Sequence, residues 1–146
     1  KSLDVMDMIL EQQFALAEKI YSVGLMPIIE PEVPIEHTDK AYLEATLLTK
    51  LTDKLSALDG KCILKLTPPE VPNLYHSLTI NPYEVLVVFL SGGYSTTEAC
   101  NRLGLNDDVG ASFSRALSER LHYDLTDADF NATMSSNIKM ITTAGN

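Results

Sequence analysis

The sequence has 146 residues, 45% of them hydrophobic, the length of one ordinary domain with enough apolar side chain to build a core. Its 20 Asp and Glu against 11 Lys and Arg give a net charge of -9, which argues against a nucleic-acid partner, since that binding needs clustered cations to displace counterions from phosphates. Any anionic substrate would need positive groups gathered locally. In chain order, Val5, Ile9, Leu16, Ile20 and Val23 keep helical spacing, and Gly24 follows as a left-handed stop. Leu25 to Ile29 reads as a short buried strand, and the Pro-rich stretch from Glu30 to Pro34 as a loop at its C-terminal end. Leucines 43, 47, 51, 55 and 58 form one stripe of a helix from Asp39 to Leu58, stopped by Gly60. Lys61 to Leu66 is the next strand, Thr67-Pro68-Pro69 a loop, and Glu70 to Thr79 a short helix. Val85 to Leu90, apolar throughout, has the pattern of a strand covered on both faces. Ser91-Gly92-Gly93-Tyr94 is a glycine-rich turn, Ser95 to Leu103 a helix, and Gly110 to Phe113 a small strand. Helices over Arg115 to His122 and Asp127 to Ile141 complete the expected order.

Strands alternating with helices imply a parallel sheet joined by right-handed crossovers. A doubly wound sheet suits the length, but its usual G-x-G-x-x-G turn after the first strand is absent. A β/α barrel gathers functional residues at the C-terminal ends of its strands, and four strands would be half of one.

Cys62 and Cys100 form no C-x-x-C pair, so they read as small buried residues of a reducing cytoplasm. No apolar run approaches the roughly 20 residues of a membrane span, and the N-terminus lacks the order of a signal peptide. A soluble cytoplasmic protein without membrane association is expected. The chain does not open with Met, and Lys1 leads almost directly into a helix, so upstream sequence is expected to be missing. His37, His76 and His122 have no metal-ligand spacing. Tyr75, Tyr94 and Tyr123 are assigned to core or rim packing, and Asn106-Asp107-Asp108 to a solvated loop.

The chemically unusual residues collect at strand ends. Lys65 sits inside the apolar segment Ile63-Leu64-Lys65-Leu66. A lysine ammonium is costly to bury, and surroundings that make it so favour the neutral amine that attacks a carbonyl. Taken alone, a strand-end lysine that snorkels to solvent is the commoner case. Glu30 closes the preceding apolar strand and Glu32 follows two residues later. Such carboxylates can move protons, although exposed loop charge is the commoner explanation until Lys65 is found at the equivalent place on the next strand. Ser91-Gly92-Gly93 precedes Ser95-Thr96-Thr97-Glu98, which has capping-box spacing, so backbone amides and a helix N-terminus could face an anion there. A plain tight turn is the alternative. Arg115 follows Ser112-Phe113-Ser114 at an expected helix start, where the macrodipole disfavours a cation and a phosphate would account for it.

These residues match a family. Pro27-Ile28-Ile29-Glu30-Pro31-Glu32-Val33, Leu64-Lys65, Leu90-Ser91-Gly92-Gly93-Tyr94-Ser95 and Ala111-Ser112-Phe113-Ser114-Arg115-Ala116-Leu117 resemble class I fructose-1,6-bisphosphate aldolases, especially the shorter bacterial form. The resemblance covers nearly the whole chain, with its motifs in order. It implies an α/β fold, the (β/α)8 TIM barrel, of which residues 1–146 would supply the last four β/α units as the C-terminal half of one domain. It implies that Lys65 forms a Schiff base with the ketose and that Glu30 assists proton transfer. Ser91, Gly92, Gly93 and Arg115 would hold a substrate phosphate, with Glu32 and Ser114 as auxiliary residues. No metal or other cofactor is implied, because the protonated imine serves as electron sink.

The implied reaction is glycolytic, the reversible cleavage of fructose 1,6-bisphosphate to dihydroxyacetone phosphate and glyceraldehyde 3-phosphate. Leu66-Thr67 replaces the Pro-Asn that follows the lysine in animal members, and Ser114 replaces a glycine. The chain ends Thr143-Ala144-Gly145-Asn146 where animal members end in a catalytic tyrosine. The missing partner would be the N-terminal half of the barrel, and homo-oligomerisation is left open. Two other readings stand beside this one: a non-catalytic half-barrel acting by association, and another Schiff-base enzyme such as a transaldolase or deoxyribose-phosphate aldolase. The isolated chain is expected to be inactive.

Overall fold

The computed structural model describes residues 2–80 and 85–145, with the side chains of residues 2 and 3 left aside, so the terminal residues Lys1 and Asn146 lie outside the described residues. Helix α1 (Ser2–Ser22) leads to strand β1 (Ile28–Ile29), helix α2 (Lys40–Ala57) to β2 (Cys62–Leu66), and α3 (His76–Thr79) to β3 (Val85–Phe89). Helix α4 (Thr96–Leu103), strand β4 (Gly110–Ala111) and helix α5 (Asp127–Ala144) follow. The four strands are all parallel and lie in the order β1-β2-β3-β4. That sequential order decides between the two architectures left open above. A doubly wound sheet reverses its strand order at a switch point, whereas strands added one after another in one direction trace an arc of a barrel.

Burial gives the same answer. Cys62, Leu64 and Leu66 of β2 and Val87 and Phe89 of β3 are almost fully buried, together with Leu47, Leu51, Leu78, Ala99 and Leu103 from the helices. On the other face, Ile28 and Leu86 are each 54% exposed. The continuously apolar β3 is therefore covered on one face only, not on both as its composition predicts. Its second apolar face, Leu86 and Val88, lines the concave side of the arc with Ile28 and Ile63 beside it.

Several element bounds differ from the expected ones for identifiable reasons. Strand β1 begins at Ile28 and not Leu25, because the Leu25 and Gly24 amides donate to the carbonyls of Ile20 and Tyr21, and so cap α1 in a Schellman arrangement around Gly24 at φ +81°. Helix α3 is confined to four residues because Pro72 and the left-handed Asn73 (φ +61°) hold 70–75 in turns. Asn106, expected in a solvated loop, is 4% exposed, and its Oδ1 accepts from the Asn73 amide at 2.8 Å. Strand β4 stops at Ala111.

The helix expected over 115–122 is absent: the segment forms turns. Ser118 Oγ donates to the Ser114 and Arg115 carbonyls, and Asn137 Nδ2 from α5 takes those of Leu117 and Glu119, each at 2.9 Å. Arg120 at φ +66° then turns the chain away.

Candidate active site

Register brings the two charged candidates together. Ile29 pairs with Leu64, so Glu30, one residue beyond β1, comes abreast of Lys65. Lys65 alternates with the buried Leu64 and Leu66 and so projects onto the concave face, and its Nζ donates to Glu30 Oε1 at 3.1 Å. Its side chain is 23% exposed and that of Glu30 39%, so the pair is reachable from the open face. Gln13 of α1 fixes the other end of the carboxylate residue, its Nε2 donating to the Glu30 carbonyl at 3.1 Å. Lys65 pairs in register with Val88, and Val88 with Gly110. A Cβ at Gly110 would come within 3.3 Å of Val88 Cγ1, so this row narrows towards β4.

The glycine-rich turn sits one strand over. Its Ser91 is 4% exposed, and the Ser91 carbonyl accepts from the Tyr94 amide at 2.9 Å. Gly92 at φ +62° and Gly93 at φ +106° take conformations that side chains resist. A Cβ on Gly92 would meet Ile35 Cγ2 at 2.9 Å and Thr67 Cγ2 at 3.4 Å, so the loop after Lys65 packs directly on this turn. The guanidinium of Arg115 lies 4.0 Å from where a Cβ on Gly93 would stand. Arg115 is exposed and makes no ion pair among the described residues, which leaves its charge available beside the glycine amides. The reason given for it from sequence fails, since no helix begins there. Only its position remains as support.

The capping box forms by half. Ser95 Oγ accepts from the Glu98 amide at 3.2 Å, while the Glu98 carboxylate binds Arg102 Nε at 2.7 Å instead of returning to the cap. Glu32 and Ser114 are brought less close. Glu32 is exposed and borders, with Glu30 and Val33, a groove of about 360 Å³ between α1 and α2. Ser114 is exposed, and its carbonyl accepts from the Ser118 hydroxyl and amide. No group of three or more His, Cys, Asp or Glu among the described residues could hold a metal ion.

A buried charge cluster behind the site was missed from sequence. Lys40 and Glu44 are 3% and 0% exposed, ion-paired to each other, and tied to the loop that follows Lys65. Desolvation by burial raises the Glu44 carboxyl above its ordinary range, against the lowering influence of Lys40. One signal was available: Lys40 opens α2, where the helix dipole disfavours a cation unless an anion is close.

No protein family matches the sequence as a profile. The chain is 51% identical over 136 residues to the fructose-bisphosphate aldolase class 1 of Clostridium acetobutylicum, covering 92% of this chain and 46% of that protein. It is 47% identical over 135 residues to the enzyme of the same name from Synechocystis, covering 91% and 45%. A third, from Porphyromonas gingivalis, is 44% identical over 131 residues, covering 90% and 45%. Among solved structures, the Plasmodium falciparum fructose-bisphosphate aldolase, determined in complex with TRAP and a small-molecule inhibitor, superposes with a TM-score of 0.70 over 93% of this chain and 50% of that one. At 20% identity that likeness concerns the fold alone, and it agrees with a partial β/α barrel. The chain spans about half the length of the curated relatives it matches. Along nearly its whole length it is homologous to class 1 fructose-bisphosphate aldolases.

Proposed function

We propose that this chain is the C-terminal, lysine-bearing half of a fructose-1,6-bisphosphate aldolase that works through a Schiff base on Lys65. The observation that carries the reading is the Lys65–Glu30 pair at 3.1 Å on the concave face, with the loop that follows Lys65 packed on a glycine turn and Arg115, which makes no ion pair among the described residues, beside that turn. The unprotonated amine of Lys65 attacks the ketose carbonyl, and Glu30 passes a proton to the departing hydroxyl as the carbinolamine loses water. The protonated imine then accepts the electron pair of the breaking carbon–carbon bond, while the Glu30 carboxylate, left without its proton by the dehydration, takes the proton of the hydroxyl on the aldehyde side. Glyceraldehyde 3-phosphate leaves first. Protonation of the enamine and hydrolysis of the imine release dihydroxyacetone phosphate and restore the amine.

In this reading Ser91, the amides of Gly92 and Gly93, and the Arg115 guanidinium hold one phosphate of the substrate. Glu32 and Ser114 are auxiliary. The remaining strands of the barrel, from the N-terminal half of a longer protein, would cover Ile28, Ile63, Leu86 and Val88 and complete the pocket. The two cysteines, both free and buried, suit a reducing compartment, and a glycolytic role in the cytoplasm is the setting proposed. No helix among the described residues is long and apolar enough to cross a membrane.

The test is reductive trapping. Borohydride added to the whole protein with dihydroxyacetone phosphate should fix a three-carbon phosphate adduct on Lys65, located by peptide mass spectrometry. An adduct on another lysine, or none, would overturn the reading.

A further inference from the structure

The loop after Lys65 has an unusual anchoring problem. It runs Thr67-Pro68-Pro69, all three residues buried, and two of the three have no amide hydrogen with which to tie the backbone down. Side chains from α2 supply the ties. Lys40 Nζ donates to the Pro68 carbonyl at 2.7 Å, and Glu44 Oε2 accepts from the Glu70 amide at 2.9 Å. The two side chains pair with each other, so each charge is neutralised where water is excluded. An apolar pair of the same size could fill that space at less desolvation cost, but it could not grip a carbonyl and an amide.

The network continues outward to the glycine turn. Glu70 Oε1 lies 3.4 Å from Lys40 Nζ and accepts from Arg102 Nη1 of α4 at 3.1 Å. The Tyr94 hydroxyl donates to the same oxygen at 3.4 Å, and the Arg102 guanidinium lies 4.4 Å from the centre of the Tyr94 ring. Tyr94 is the residue whose amide closes the Ser91 turn. One chain of contacts thus joins α2, the loop beginning two residues after Lys65, and the turn beginning at Ser91.

We propose that Lys40, Glu44, Glu70 and Arg102 are positioning residues that fix the distance between the Lys65 amine and the anion cradle at Ser91-Gly92-Gly93. They therefore set the preference for a ketone bearing a phosphate at the matching span. The inference rests on the amine-and-cradle reading above and deepens it: none of the four needs to touch substrate. A network of this kind acts on the phosphorylated ketone alone. A ketone without phosphate uses the amine but not the cradle, so a change in their separation leaves it unaffected.

The experiment compares the rate of borohydride trapping at Lys65 with dihydroxyacetone phosphate and with dihydroxyacetone, in the complete protein and two variants. Lys40→Met/Glu44→Leu replaces the buried pair by apolar side chains, leaving neither charge stranded. Glu70→Gln keeps the backbone amide bonded to Glu44 but removes the charge through which Lys40 and Tyr94 are linked to Arg102, which Glu98 still holds from within α4. The preference for the phosphorylated ketone should fall by about tenfold or more in the double variant and in the same direction in Glu70→Gln, with trapping of dihydroxyacetone unchanged, since small displacements of oriented groups carry penalties of this size. Should the double variant fail to fold, Glu70→Gln decides the matter alone. A folded variant whose preference stays within about twofold of the parent, or one in which both ketones slow in parallel, would overturn the proposal while leaving the Lys65 reading intact. Absence of a Lys65 adduct in the parent protein would overturn both.

Discussion

Glu119 shows how one carboxylate can hold a helix start next to the site. Its Oε2 accepts from the Thr96 amide at 3.0 Å, in the first turn of α4 just after the glycine turn, while the Thr96 hydroxyl binds the Ala116 carbonyl. Hydrogen bonding to Thr96 holds the Glu119 carboxyl below the usual carboxylate range. A depressed folded-state value means that the stabilisation is fully present above the unfolded value of about 4.3 and is lost as pH falls through the lower folded value. Urea midpoints of the protein and of Glu119→Gln should therefore differ by a constant amount near neutrality, and the gap should close as pH is lowered past about 4. A gap that stays open into strong acid would show that the charge on Glu119 contributes nothing. The backbone contacts of these residues were not legible in the sequence. Lys65 and Glu30 stood out because each is charged where an apolar strand ends, whereas the backbone groups that Glu119, Lys40 and Glu44 hold lie 20 to 30 positions away and are joined to them only by the fold.

At the scale of elements, the turn from Ser91 to Tyr94 carries the most exacting geometry. Alanine at Gly92 would have to hold φ +62° and place its Cβ 2.9 Å from Ile35 Cγ2. The left-handed backbone alone costs about 1–2 kcal/mol, and the contact with Ile35 adds to it. Gly92→Ala should lower the thermal midpoint and weaken phosphate binding together. Pairing it with Ile35→Ala should recover only the part due to the contact, as read by the midpoint of the double variant. Full recovery would mean that the backbone conformation is not strained. Elements with a strong local signal were read correctly: the leucine stripe of α2, the β2 and β3 runs, and the Gly24 stop all stand where periodicity and turn chemistry put them. The errors share a cause. Segments 25–27, 70–75 and 115–122 have strand or helix composition, but their amides or carbonyls are taken by distant or capping partners, here Ile20, Asn106 and Asn137. Composition is blind to such competition.

At the scale of the whole molecule, the sheet has one covered face and one open one, and the open face is where Lys65 and Glu30 stand. Amine catalysis of aldol cleavage needs the reacting carbonyl shielded from bulk water and further proton-moving groups around it. On the proposed reading, the four strands here would supply one wall of such a pocket. Ile28 and Leu86, each 54% exposed, mark where the other wall would pack. The proposed anion cradle differs in this respect, because the residues assigned to it, Ser91, Gly92, Gly93 and Arg115, lie in one turn and beside it within the chain itself. The two parts of the site should consequently separate when residues 1–146 are produced alone. Cleavage of fructose 1,6-bisphosphate should be negligible, while weak binding of inorganic phosphate survives and is reduced by Arg115→Ala. Turnover by the 146-residue chain within about tenfold of a complete barrel would refute the argument, since open, misaligned amines forfeit far more than that. Phosphate binding that is indifferent to Arg115→Ala would remove the cradle from the account and leave the amine to stand alone.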